Sequence, residues 1–428
     1  MLDFQNIIRD FLSPIDFAVA MMVLLFIMVA TLFRSQSVER DLKKTYSLNI
    51  AFKLLFSVVF ATYYILVFKG GDTYAYWQST TVLKNVFLSD FDLFLEIVHA
   101  DGTWENYRGF FNTRTGYPMR FIFMEEESFF VCKLLVGFQL ITFGSYIGTT
   151  LLLAYWMALS NWRLFTQVRT VGNLNKRWLA PLFLFIPSVS FWASGVSKDT
   201  FALIFIFNAV YHVIKLLSKS TINKAASLVW TIVYLFLLYK IRPFLLGAIL
   251  LPVGIMYIIH LINKLDSVKF IKYTAQGIAL IVVIFVMGFA YQRYLNESYL
   301  SNNSAFNNAI VIQQDFENNT ATYGEDEGKR YNLGITSGST FEIIRSIPLA
   351  ITAGIFRPFL WEALRPSLIF NGLESILYIF LILRFLFKDL RKKMVYILSN
   401  QVLTFAIIFI FIIAFMTGFT SILFGVLV

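Results

Sequence analysis

Charge is scarce in this chain. Of its 428 residues, 14% are Asp, Glu, Lys or Arg, whereas 58% are hydrophobic and 18% aromatic, and mean hydropathy is +0.68. A soluble globular protein carries about 25% charged residues, so too little polar surface remains to cover a water-soluble particle of this length. Disordered and collagen-like classes fall with the same numbers. The single cysteine, Cys132, permits no internal disulfide and no cysteine-built metal site. Three histidines (His99, His212 and His260) lack paired ligand spacing, so no metal site is expected. Phosphate-loop, dinucleotide, nucleophile-elbow and zinc-protease motifs are all missing, which disfavours an ATPase, a Rossmann enzyme, an α/β-hydrolase or a zincin, and no cofactor is called for. Residues 1–15 lack the basic start and small-residue cleavage site of a secretory signal, so the first apolar run is expected to remain as a helix.

What is present is a succession of long apolar runs. A bilayer-spanning helix needs about 20 mostly apolar residues, and on that basis the chain reads as an all-α integral membrane protein. The expectation is a polytopic bundle of about ten transmembrane helices forming one domain over 1–428. They fall near 16–33, 49–68, 129–158, 178–194, 200–217, 226–240, 244–263, 274–292, 367–387 and 399–420. The third is long enough to tilt or kink around Gly144 and Gly148. The formal charge of +10 is explained by every second loop being basic, as in Arg34, Arg40, Lys43 and Lys44, then Arg163, Arg169, Lys176 and Arg177. Basic loops mark the cytoplasmic side, so membrane lipids rather than nucleic acid are the expected surroundings. The alternate loops hold most of the acids, which places both termini outside.

Two outer segments are substantial. Residues 69–128 mix amphipathic stretches with aromatics and arginines and read as an outer amphipathic loop on the membrane surface. Residues 293–345, rich in Asn, Ser and Gly, read as a mobile outer loop. After it, 346–366 carries several prolines and reads as an interfacial or re-entrant segment. No internal repeat is evident, which counts against an inverted-repeat transporter.

Unusual polar residues gather at outer helix ends. Gly70-Gly71-Asp72 leaves the second span and sets one carboxylate beside Tyr74, Tyr76 and Trp77, flat rings suited to sugar faces. A carboxylate held against aromatics and a membrane surface gains a raised pKa suited to general-base work. An aromatic interfacial belt is the plainer alternative. Ser194-Gly195-Val196-Ser197-Lys198-Asp199 offers hydroxyls, a lysine and a helix N-terminus, an arrangement that favours anions, although Asp199 also suits helix capping. Arg242 precedes Pro243, and Arg357, Glu362 and Arg365 lie in a second Arg-Pro-bounded segment. Arginine grips phosphate bidentately. Together these residues suggest an outward cavity for a lipid-linked pyrophosphate donor, with Lys198, Arg242, Arg357 and Arg365 as clamp. Glu374 lies within the ninth span and is the candidate for ion coupling.

The strings GGDTYAYW, FIPSVSFWASGVSKD, IRPFLL and FRPFLWEALRP occur in order between about 68 and 387. In them the chain resembles bacterial polytopic polysaccharide-assembly proteins, namely O-antigen-type polymerases and polyprenyl-dependent membrane glycosyltransferases. The resemblance implies glycosyl transfer from a polyprenyl-diphosphate-linked glycan at the outer face of the cytoplasmic membrane, polymerising a polysaccharide or decorating a glycan. It implies Asp72 as base, and Arg242, Arg357 and Arg365 as ligands of the lipid pyrophosphate. Asp72 follows the second span here, whereas the glycosyltransferase pattern places its acid after the first, and no second acid stands beside it to make a metal pair. Two rivals remain at this point. One is a non-enzymatic subunit, a scaffold or channel component of an export or motility complex with envelope partners. The other is an ion-coupled transporter resting on Glu374.

Overall fold

The computed structural model of the chain describes residues 14–218, 223–263, 340–362, 366–387 and 389–420. Those residues are 84% helical and contain no strand. Among them, six helices are long and apolar enough to cross a membrane, or seven if one sharply bent pair counts as a single span. The chain is therefore an all-α membrane protein. The count of ten is not reproduced among the described residues, and the expected span at 274–292 lies outside them. The chain divides into two compact units, Met1–Pro243 and Phe244–Val428.

The first unit is built on α1 (Pro14–Gln36) and α2 (Lys43–Leu66). A run of further helices follows, comprising α3 (Gly71–Ser89), α4 (Phe91–His99), α5 (Trp104–Phe110), α6 (Arg120–Met124) and α7 (Glu126–Ile141). Thus 69–128, expected as a loop, is mostly short helices. The long helix α8 (Tyr146–Gly172) leaves α7 at a bend of 108°. Positive φ at Phe143 (50°) and Gly144 (80°) makes that corner, so 129–158 is not one tilted span, and the kink falls beside Gly144 as expected. The first described residues of α8 stay with α3: Thr73 and the Tyr146 hydroxyl lie 3.3 Å apart, and Trp77 packs edge-on against Tyr146.

Next come α9 (Lys176–Leu184), α10 (Pro187–Trp192), α11 (Lys198–Leu217) and α12 (Lys224–Ile241). The expected span at 178–194 is thus a broken crossing. Lys176 pairs with Asp41 near the start of α2, while Lys198 pairs with Glu125 at the start of α7, so 176–198 runs from one end of the unit to the other. Pro187 causes the break, because proline has no N–H and its ring clashes with the carbonyl four residues back. That carbonyl belongs to Phe183, and the Asn161 amide of α8 supplies a donor to it at 3.4 Å.

Polar glue ties the helices: Asn49 donates to the Ala158 carbonyl at 3.0 Å, and Asn208 to the Ser160 hydroxyl at 2.8 Å. The core between α1, α2, α8 and α9 is aromatic and aliphatic, with Tyr46 edge-on to Trp162. Apolar side chains such as Phe26, Leu32 and Leu55 face outward, as a lipid-facing surface requires.

The second unit contains α13 (Pro243–Asn263), α14 (Thr340–Phe356), α15 (Pro366–Leu386), α16 (Leu390–Ser399) and α17 (Gln401–Thr420). Helices α14 and α17 cross at small residues spaced four apart: Ala350 and Gly354 on one, Ala414 and Gly418 on the other. A Cβ on Gly354 would overlap the Ala414 carbonyl, and one on Gly418 would overlap the Ala350 carbonyl. Such close approach is how helices pack in lipid, where no hydrophobic drive separates tail from side chain.

Candidate functional site

The sequence GGD builds the first wall of the site. Lys69, Gly70 and Gly71 all have positive φ (50°, 104° and 49°), turning the chain from α2 directly into α3. Glycine adopts such angles at no steric cost, and at Gly71 a Cβ would also press to 3.3 Å from the Tyr64 ring. Asp72 therefore sits in the first turn of α3, exposed to water. Its carboxyl titrates above the ordinary aspartate range. The surrounding protein mass disfavours its charged form, and the Glu125 and Asp199 carboxylates add repulsion that Lys198 only partly offsets. Asp72 is therefore reachable by water yet flanked by protein, and the region between it and those neighbouring charges is the candidate recess. Half-buried rings lie along the neighbouring end of α2 and on α10, where Tyr63 and Phe191 are 5.7 Å apart, and Tyr64 packs 4.4 Å from the fully buried Phe60.

Three more elements deliver charge to this recess. The Ser197 hydroxyl accepts from the Thr200 N–H at 3.2 Å, capping α11 and fixing Lys198 and Asp199 in its first turn. The run Glu125-Glu126-Glu127 opens α7, and Lys240 and Arg242 close α12. Lys198 forms an ion pair with Glu125 and lies 3.6 Å from Glu127. Lys240 pairs with Glu126 at 2.9 Å, and Arg242 with Asp199 at 2.6 Å. A short relay supports Glu125 from behind: Tyr76 O–H donates to Ser128 at 3.1 Å, and Ser128 donates to Glu125 at 2.6 Å. Burial opposes the charge on Glu125, but the hydrogen bonds from Lys198 and Ser128 prevail and hold its pKa below the usual glutamate range.

The structure thus brings Asp72, Lys198, Asp199 and Arg242 together from three separate stretches of chain. It also reassigns several roles. Tyr74, Tyr76 and Trp77 are 7%, 6% and 5% exposed; they are packing residues behind the recess, because α3 turns that face against α7 and α8, and no open sugar platform is made of them. Lys198 and Arg242 are engaged by carboxylates rather than standing as an open phosphate clamp. In the assembled group five carboxylates (Asp72, Glu125, Glu126, Glu127 and Asp199) face three cations (Lys198, Lys240 and Arg242). The acidic triplet was not singled out from sequence; three consecutive acids ahead of an apolar run are its only signal.

In the second unit, Arg357 and Glu362 approach to 3.9 Å across the turn after α14, and Glu362 accepts from the Phe359 N–H at 2.9 Å. Arg357 also lies over the Phe359 ring. Arg365 lies outside the described residues. Glu374 is half-buried on α15, and its charge acts on Tyr378 one turn along. No three or more His, Cys, Asp or Glu side chains among the described residues are disposed to hold a metal ion together.

One further polar residue went unnoticed in sequence. Lys53 is 1% exposed, midway along α2, and donates to the Ser190 hydroxyl of α10 at 2.6 Å. No carboxylate reaches it among the described residues. Phe52 meets Phe185 at the break between α9 and α10, with ring centroids 5.4 Å apart, so the lysine faces the interruption in the broken crossing.

No protein family, curated protein or solved structure matches the chain.

Proposed function

We propose that the recess around Asp72 catalyses glycosyl transfer from a polyprenyl-diphosphate-linked sugar or oligosaccharide. The observation that carries this reading is a water-accessible carboxylate of raised pKa at one end of a membrane bundle, flanked by half-buried aromatic rings. Asp72 accepts the proton of an acceptor hydroxyl as that oxygen bonds to the anomeric carbon. The bond from that carbon to the diphosphate oxygen breaks, and polyprenyl diphosphate leaves. A base of raised pKa is matched to such work nearer neutral pH.

The diphosphate would enter a group already rich in carboxylates. This reading therefore requires Lys198 and Arg242 to exchange Glu125 and Asp199 for phosphate oxygens as the donor binds. The positive-inside rule puts the opposite end, with Arg34, Arg40, Lys43 and Lys44, in the cytoplasm. The Asp72 end then faces outward, into the periplasm of a bacterial inner membrane.

Mass spectrometry of lipid carried through native purification tests the reading, with an unrelated multi-pass protein as control. Enriched polyprenyl-diphosphate glycans support it and name the donor. Bulk phospholipid alone, with stoichiometric protein subunits retained, moves the assignment to a scaffold within an envelope complex.

A second reading, ion-coupled transport, draws on Lys53. A lysine buried in a membrane span beside a broken helix is the kind of residue that marks ion pathways. In this reading Lys53 and Ser190, rather than Glu374 alone, carry the coupling ion.

A further inference from the structure

The end of the first unit away from Asp72 contains a cavity of about 290 Å³. The end of α1, the turn after it, the start of α2 and the lower half of α8 line it, with Arg34, Glu39, Tyr46, Trp162 and Arg163 among its walls. Its charge is opposite in sign to that of the Asp72 recess. Glu39 is the one carboxylate in the lining, and Arg169 already pairs with it at 2.7 Å. Arg163 makes only a long contact, 3.5 Å, to the Asn208 amide oxygen. Arg34 is exposed, and no ion-pair partner for it occurs among the described residues. The cavity therefore holds two guanidinium groups whose charge the protein leaves uncompensated.

An independent observation points the same way. Tyr46 is 2% exposed, and its hydroxyl is left without a hydrogen bond of good geometry, with the Tyr155 phenol beside it. A buried hydroxyl without a partner costs about 1–3 kcal/mol unless something completes it. Arg34 lies within electrostatic reach of that hydroxyl. Two planar forks at a cavity with a buried phenol in its wall suit a tetrahedral oxyanion, and Arg–phosphate pairs are among the strongest hydrogen-bonded contacts available. The basic mouth at the end of two membrane-crossing helices suits a lipid headgroup in particular.

We infer that this cavity, lined by Arg34, Arg163 and Tyr46, binds a phosphate group, carried by an anionic phospholipid headgroup or by a soluble phosphate. The site is distinct from the Asp72 recess and does not rest on the chemistry proposed there. Residues Tyr146 and Arg163 of α8 separate the two ends by roughly 25 Å at 1.5 Å per residue.

Thermal unfolding of the purified full chain in neutral detergent tests the inference. Inorganic phosphate, short-chain phosphatidic acid and short-chain phosphatidylcholine are titrated separately into wild type, Arg34→Gln and Tyr46→Phe. Arg34 is exposed, so its replacement leaves the fold intact, and Tyr46→Phe removes only one oxygen. The expected result is a saturable stabilisation of wild type by phosphatidic acid, weakened about tenfold in affinity by Arg34→Gln and less by Tyr46→Phe. Equal stabilisation by inorganic phosphate identifies a soluble ligand, whereas stabilisation by the phospholipid alone identifies a headgroup. Stabilisation by phosphatidylcholine as strong as by phosphatidic acid, unchanged responses in both variants, or no response to any anion would overturn the inference.

Discussion

Lys198, at the start of α11, holds Glu125, at the start of α7, and through Ser128 that pair extends to the buried Tyr76 hydroxyl. The lysine side chain is 12% exposed and the glutamate 51%, so the pair lies half in water and its net worth is that of a partly screened contact, about 1 kcal/mol. Its structural effect is larger than that figure, because it fastens the start of α7 to the start of α11. Lys198→Met is expected to lower the thermal midpoint, and Glu125→Gln in the same chain to recover part of the loss. A thermal double-mutant cycle measures this; additive effects would show that the two residues do not interact. The pair's contribution has a definite pH sense. Glu125 is held below its ordinary pKa, so the stabilisation is present above the ordinary glutamate range and is lost as pH falls through the lowered value.

Asp72 has the opposite shift. With its pKa raised, it stays protonated at pH values where an ordinary aspartate, near 3.9, is ionised. Turnover that needs its ionised form is expected to fall on the acid side at a higher pH than an unperturbed carboxylate would give. Lys198→Met removes a charge that lowers this pKa and should move the acid limb upward; Glu125→Gln removes one that raises it and should move the limb downward. The pH profile of kcat/KM in the two variants decides the matter, and shifts of the same sign would contradict the electrostatic assignment.

Lys53 separates stability from function. Its ammonium group is buried with one hydroxyl and no carboxylate among the described residues, an arrangement that costs more than it returns. Ser190 keeps a second bond, to the Ile186 carbonyl at 2.6 Å, so removing the amine strands no partner. Lys53→Met is therefore expected to stabilise the chain, read as a higher thermal midpoint in detergent. A lower midpoint would mean that the lysine is structurally required. Loss of a solute flux in the stabilised variant would favour the transport reading.

The crossing of α14 and α17 has no room for side-chain branching. Gly418→Val places carbon against the Ala350 carbonyl, and overpacking of this kind costs about 1–3 kcal/mol or more. Disulfide trapping between cysteines placed outside the contact, on α14 and α17, is expected to proceed readily in the parent and poorly in the valine variant. Equal trapping would show that the helices do not rely on this approach.

Composition made the membrane class legible, since only a lipid-facing surface tolerates so little charge. The Gly70-Gly71-Asp72 turn was legible too, because two glycines followed by an acid after an apolar run have few other uses. Lys198, Asp199 and Arg242 were legible as helix-end residues, and alternating loop charge placed them on one side. What sequence could not supply was their partners. Glu125, Glu126 and Glu127 act through contacts with residues more than seventy positions away, and no local pattern encodes those. The burial of Tyr74, Tyr76 and Trp77 is equally non-local, being set by α7 and α8. Lys53 reads locally as one polar residue in an apolar helix, and only the neighbouring break between α9 and α10 reveals that it is enclosed. The break in 178–194 was legible as well, because Pro187 and the small residues after it loosen a helix.

The most direct test of the central claim is Asp72→Asn, which keeps the shape of the side chain and removes the base. The purified variant, monodisperse and matched to wild type in thermal midpoint, is reconstituted in vesicles with a polyprenyl-diphosphate-linked donor recovered from the native preparation and with its acceptor. A fall in transfer rate of about 10²–10⁴-fold, with donor binding retained, is the predicted result. Transfer at the wild-type rate would contradict the account.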